Sequence, residues 1–149
     1  AHTLAEGLQP LLGLLQPLGD TIVHAELDER LARADALAAG QQVYSRLMNH
    51  LAATLRTCRD LLDGYGVHGW RDIIDALLAS PASDYDRALA AKSWFGGMGS
   101  LNDLVISPIN GDRVAPEEVA LANERLMTAL NDLLVVANAL IKARDRKQR

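Results

Sequence analysis

The sequence predicts an all-α fold: a single-domain bundle of five or six helices with a glycine-rich bend before the last long helix. Three observations carry this. Hydrophobic residues make up 49% of the 149 residues but aromatics only 4%, so Leu and Ala, both strong helix formers, supply the apolar content. Apolar residues recur at helical spacing through most of the chain. No segment sustains the alternation of a strand, and the one candidate, Leu104-Val105-Ile106, is too short to build a sheet. The span 1–149 reads as one domain, an N-terminal helical addition over 1–40 and a bundle core over 41–145.

The elements follow in chain order. Residues 3–18 place Leu4, Leu8, Leu11, Leu12, Leu15 and Leu18 at mostly helical spacing, but Pro10 and Pro17 interrupt them. An interior proline removes a backbone hydrogen bond at a cost of ~3 kcal/mol, so short or kinked turns are expected there. After Gly19-Asp20 a more regular helix runs to about Ala39, with Val23, Leu27, Leu31, Ala34 and Ala38 as its apolar stripe. Glu26 with Arg30 and Glu29 with Arg33 are acid-before-base pairs one turn apart. Gly40 sits where a helix cap belongs.

The clearest amphipathic helix spans Gln41 to about Asp63, with Val43, Leu47, Leu51, Leu55, Cys58 and Leu62 on one face. The glycines of GYGVHG, Gly64, Gly66 and Gly69, end it. Helices over Trp70 to Ala79 and about Asp84 to Trp94 follow, separated by a Ser-Pro-Ala-Ser loop at 80–83. The last helix begins at Pro116 and runs to about Ala143, with Glu117 and Glu118 in its first turn. Its apolar residues, Val119, Leu126, Leu130, Leu133, Ala137 and Leu140 widened by Met127, Leu134 and Ile141, cover an arc suited to the bundle centre.

Between the last two helices lies WFGGMGSLNDLVISPINGD, residues 94–112. Gly96 and Gly97 stop a helix, and Ser100 with Asp103 has the form of an N-cap starting a short helical turn. Pro108-Ile109-Asn110-Gly111 is turn chemistry. Asn102 and Asp103 are expected to reach Asn123 or Arg125 and lock the glycine bend, whose motif includes Gly99, onto the last helix. Asn123, Asn131 and Asn138 recur near one flank of that helix, placed to hydrogen-bond across the bundle or to specify a dimer seam.

Most catalytic and ligand-binding chemistries lack their residues here. A net charge of -4 does not suit a nucleic-acid binder, and no run approaches the ~20 uninterrupted apolar residues of a membrane span. The single cysteine, Cys58, falls on an apolar stripe, and the four histidines share no ligand spacing, so no metal and no cofactor are expected. Ser100 lacks a nucleophile elbow, and Asn102 with Asp103 has no accompanying base, nucleophile or metal set. GGMGS has neither the Lys-Ser ending nor the preceding strand of a phosphate loop. The Leu-rich start has no basic region before it, and the chain reads as cytoplasmic.

What remains is a non-enzymatic protein-interaction module. Its expected interface combines the acidic stretch over 60–86, Asp72 and Asp75 in particular, with Trp94, Phe95, Met98 and Asn102 on the bend. The alternative is a regulator that binds a small molecule or phosphate through GGMGS. The string Trp-Phe-Gly-Gly-Met-Gly-Ser-Leu-Asn-Asp, then Pro-Ile-Asn-Gly, then Asn123-Glu124-Arg125, resembles a family of small uncharacterised bacterial helical proteins. That family's signature is Phe or Tyr before GGMGS, an apolar residue and Asn-Asp, and the likeness covers about residues 45–140. The resemblance implies a stand-alone partner protein of the immunity or antitoxin kind, one that binds and neutralises a toxin.

Overall fold

The computed structural model describes residues 9–149, with side chains from His24 onward. Among them are four α-helices: α1 Gln9–Gly64, α2 His68–Ala79, α3 Asp84–Ser93 and α4 Val119–Lys147. Short 3-10 turns occur at Leu101–Asp103, Pro108–Asn110 and Pro116–Glu118, and no strand is present among the described residues. The fold is all-α. The chain divides into two compact units between Gln42 and Val43.

α1 joins what the sequence divides. It passes Pro10, Pro17, Gly19 and Gly40 without interruption, so the segments expected at 20–39 and 41–63 are one helix. Pro10 is the second residue of α1, where a missing N–H costs no intrahelical bond. Gly40 is not among the glycines with positive φ, so it continues the helix. Its penalty of roughly 1 kcal/mol does not outweigh good helix formers on both sides. The expectation for residues 3–8, and the side chain of Val23 in the apolar stripe, lie outside the described residues. In the first unit every residue from His24 to Gln42 is exposed. The Glu26–Arg30 and Glu29–Arg33 pairs form as expected, at 2.6 Å and 2.5 Å.

The second unit holds the core. Leu51, Leu55, Cys58 and Leu62 of α1 meet Ile74 of α2, Ala88 and Ala91 of α3, and Leu126, Leu130, Leu133, Ala137 and Leu140 of α4. Each large aliphatic side chain so buried contributes about 1.5–3 kcal/mol. Ala88 and Ala91, both fully buried, let the α3 backbone pack against α4. Val43, which begins the α1 stripe in sequence, is more than half exposed.

α4 is buried along one face, not on several sides. Leu121, Met127 and Val135 are exposed while Leu126, Ala129, Leu130, Leu133, Val136, Ala137 and Leu140 are covered. Val119, Leu134 and Ile141 are half buried, Ile141 against the core, so part of the apolar arc is only partly covered. Length and apolarity would allow Pro116–Lys147 to cross a membrane, but its Leu126–Leu140 face packs the core and its flank carries Asn131, Asp132 and Asn138. Its end is anchored by Arg144 over the Tyr85 ring (5.4 Å) and Lys147 over the Tyr44 ring (4.7 Å).

The corners are set by local chemistry. α1 ends where Gly66 adopts φ +74. There Val67 N–H donates to the Leu62 carbonyl (2.8 Å) and Gly66 N–H to that of Asp63 (3.0 Å), the paired reverse bonds of a left-handed glycine cap. Ser83 caps α3 by accepting from Asp86 N–H at 3.1 Å, while its hydroxyl donates to the Asp86 carboxylate. Arg87 reaches back from α3 to the Ser80 carbonyl at 2.9 Å, closing the loop after α2.

Candidate protein-docking face

The site grows out of the end of α3. Gly96, Gly97 and Gly99 take φ of +90, +89 and +77, conformations that L side chains resist, so the chain can reverse within a few residues. The reversal is tied from inside. Gly96 N–H donates to Asn102 Oδ1 at 3.1 Å and Gly99 N–H to Asp103 Oδ2 at 3.0 Å. Leu101 N–H donates to the Trp94 carbonyl at 2.8 Å, and the Leu101 side chain is fully buried. Ser100 stands at the N-cap position of the Leu101–Asp103 turn, as expected from sequence, but its hydroxyl donates to Asn102 and Asp103 and caps no amide.

These contacts correct the expected lock. Asn102 and Asp103 fasten the bend to itself, and neither reaches Asn123 or Arg125. Asn123 instead clamps Ile106, which lies between the first two 3-10 turns. Its Oδ1 accepts from Ile106 N–H at 2.8 Å, and its Nδ2 donates to the Ile106 carbonyl at 2.8 Å and to that of Val119 at 2.8 Å. A side-chain amide has one acceptor and two donors pointing apart, which matches one residue's N–H and C=O together. Asn102 and Asp103 are taken up by the glycine amides, which lie nearer in sequence. Arg125 lines a different groove, with Thr57, Leu61 and Asp132.

The turn beyond is built in the same way. Ser107 N–H donates to Asp112 Oδ2 at 2.9 Å, Asn110 Nδ2 donates to the Val105 carbonyl at 2.9 Å, and Gly111 takes φ +82. The Pro108–Asn110 turn expected from sequence is therefore present. Two large apolar side chains on these loops, Met98 and Ile109, are fully exposed. A groove of about 390 Å³ is lined by Asn102, Leu104, Val105, Asn123, Leu126 and Met127. Val105 and Met127 are themselves half exposed.

The proposed partner residues thus separate. Trp94 and Phe95 are half buried and pack on the core, Trp94 edge-on to Trp70 with ring centroids 6.0 Å apart. Met98 faces solvent, and Asn102 is exposed but spends its side-chain oxygen on the bend. Val105, Ile109 and Met127 join Met98 as exposed apolar groups, and sequence reasoning missed them. Pro108 and Gly111 around Ile109 were the available signal, since an isoleucine at a turn tip has no core to enter.

Asp72 and Asp75 lie elsewhere, and arginines neutralise them. Arg59 binds Asp75 at 2.9 Å, while Arg71 binds Asp63 at 2.8 Å and Asp72 at 2.6 Å. The Arg71 hydrogen bond holds the Asp63 carboxyl below the usual carboxylate range. Asp75 in turn raises the guanidinium pKa of Arg59. Within the acidic stretch, Asp60, Asp63, Asp72 and Asp75 join an ion-pair network with Arg59 and Arg71 between α1 and α2, while Asp84 pairs with Arg87 on α3.

Cys58 is completely buried, its Sγ 3.4 Å from the Ala129 carbonyl. Burial first, and the nearby Asp132 charge second, push its pKa up to about 12, which leaves no reactive thiolate. Among the described residues no group of three or more His, Cys, Asp or Glu is placed to hold a metal ion.

Residues 38–115, just over half of the chain, match the profile of a domain of unknown function (DUF6966). The matched stretch contains the whole bend and the following turn and stops before α4. No curated protein and no solved structure matches the chain.

Proposed function

Taking as premise that the chain belongs to the DUF6966 family, we propose that it is a non-enzymatic protein-interaction module that docks through the glycine-bend face. One observation carries this reading. A bend held by internal hydrogen bonds and a buried leucine exposes Met98 fully, with Ile109 equally exposed on the next turn. Fixing the loops costs their entropy in folding, so a partner need not supply it on binding. Methionine suits such a surface because its flexible, polarizable side chain adapts to the opposing shape. The groove at Val105 and Met127 offers a place for a partner's side chain. An immunity-like or antitoxin-like protein that neutralises a toxin is the most concrete form of this function.

The phosphate-binding alternative has less support. The Gly96 and Gly99 amides that would cradle an anion already donate to Asn102 and Asp103, and the Asp103 carboxylate would repel a phosphate. A photo-crosslinking residue in place of Met98, compared with one in place of Val135, tests the docking face in native cells. The reading expects a defined protein adduct from position 98 whose purified partner rebinds the untreated chain. Equal or absent adducts from both positions would remove the bend from consideration, and a thermal shift with phosphate compounds would favour the alternative.

A further inference from the structure

We infer that the first unit is a self-association element in which two copies of this chain pair through α1 as a parallel two-stranded coiled coil. Every residue from His24 to Gln42 is exposed, yet Leu27 (51%), Leu31 (55%) and Leu37 (75%) stand among them. Leu27, Leu31, Ala34 and Ala38 are spaced by four, three and four residues, the narrow seam of a coiled coil and not the broad stripe of a core-facing helix. Amphipathic helices draw most of their stability from packing, and among the described residues of this unit no side chain is buried.

The flanking charges choose the partner and its direction. With Leu27 and Ala34 at d and Leu31 and Ala38 at a, Arg30 occupies g and Asp35 the following e. In a parallel pair a g residue faces the e residue five positions on in its partner, so Arg30 meets Asp35 of the second copy twice by symmetry. Leu37, also at g, then covers the seam from the side. The antiparallel register that aligns the same four apolar residues instead brings Asp28 beside Asp35 twice, a like-charge contact. Glu29 and Arg33 pair with each other on the outer face, and Arg30, held by Glu26 within its own helix, reaches Asp35 of the second copy as a shared partner. A second copy in parallel register is the occupant that this pattern fits.

Sedimentation equilibrium of the full chain, with disulfide trapping, tests this. The chain is expected to reach twice its monomer mass as concentration rises, and Leu31→Asp is expected to hold it at monomer mass. Leu31→Asp should leave the near-ultraviolet circular dichroism of Trp70 and Trp94 unchanged, which separates lost pairing from lost folding. Ala38→Cys should form an intermolecular disulfide on mild oxidation, because identical seam positions meet only in a parallel pair; the buried Cys58 of the unaltered chain should form none. Arg30→Asp should weaken pairing several-fold, and adding Asp35→Arg should restore it. A chain that stays monomeric at all concentrations overturns the proposal. So does a dimer that survives Leu31→Asp, or one in which Ala38→Cys does not cross-link.

Discussion

Replacing Asn123 with alanine strips both backbone partners from Ile106, a residue that is completely buried. The Asn123→Ala chain loses two bonds of 2.8 Å to Ile106, and a third to Val119, whose carbonyl still lies on α4. Each buried backbone group left without a partner costs about 1–3 kcal/mol. Asn123 is half buried, so water reaches part of the vacated space, and the expected loss is roughly 2–3 kcal/mol. For a chain of this size that lowers the melting temperature by about 5–10 °C. Urea unfolding followed by far-ultraviolet circular dichroism should show a lower midpoint at an unchanged slope. Asn123→Asp should be at least as damaging, since it keeps the acceptor but turns a carboxylate toward two carbonyls. Asn131→Ala, at an exposed position on the same helix, should stay within about 0.5 kcal/mol of the unaltered chain. An Asn123→Ala chain no less stable than Asn131→Ala would refute the clamp.

Other outcomes follow from single features. Gly97→Ala forces an L side chain to φ +89 with open space around it, so its cost of roughly 1–2 kcal/mol is backbone strain alone, readable by thermal melting. Gly40→Ala, also in open space but at helical φ, should instead stabilise α1 by about 1 kcal/mol and raise its helicity. The Cys58 pKa is raised to about 12, so burial favours the protonated thiol. The stability tied to it is intact below the ordinary thiol range and drains away as pH climbs from there toward that value; Cys58→Ala should flatten this alkaline decline in urea midpoints. The Asp63 carboxyl is depressed by Arg71, so its contribution is present above the ordinary carboxylate range and is lost as pH falls below it. Asp63→Asn should therefore remove part of the acid sensitivity while costing little at acidic pH.

Much of the second unit was legible because its signals are periodic. The Leu51–Leu55–Cys58–Leu62 line and the Leu126–Leu140 face are both core, as their spacing implies. Punctuation was harder to read, because a glycine's role depends on φ. Gly66, Gly96, Gly97, Gly99 and Gly111 take positive values and turn the chain, whereas Gly40 is absorbed by α1. Side-chain partners were hardest. Asp72 and Asp75 read as a free acidic patch only while Arg59 and Arg71, from the preceding helix and the adjacent residue, are left out. Asn102 and Asn123 were each recognised as polar fasteners, but which amides they hold depends on how tightly the glycines turn. The exposure of Ile109 is signalled by its place at a Pro108–Gly111 turn tip, whereas that of Met127 follows from where the bundle ends, and no local pattern encodes it.

The docking face itself is tested most directly by the affinity of the protein captured at position 98 for two variants of equal chemistry, Met98→Asp and Val135→Asp. Both replace an exposed apolar side chain with a carboxylate, one on the bend and one on α4. Met98→Asp is expected to weaken binding at least tenfold, an effect of about 1.4 kcal/mol, while Val135→Asp leaves it unchanged. Undiminished binding by Met98→Asp, or an equal loss in both, would contradict the assignment of the glycine bend as the recognition surface.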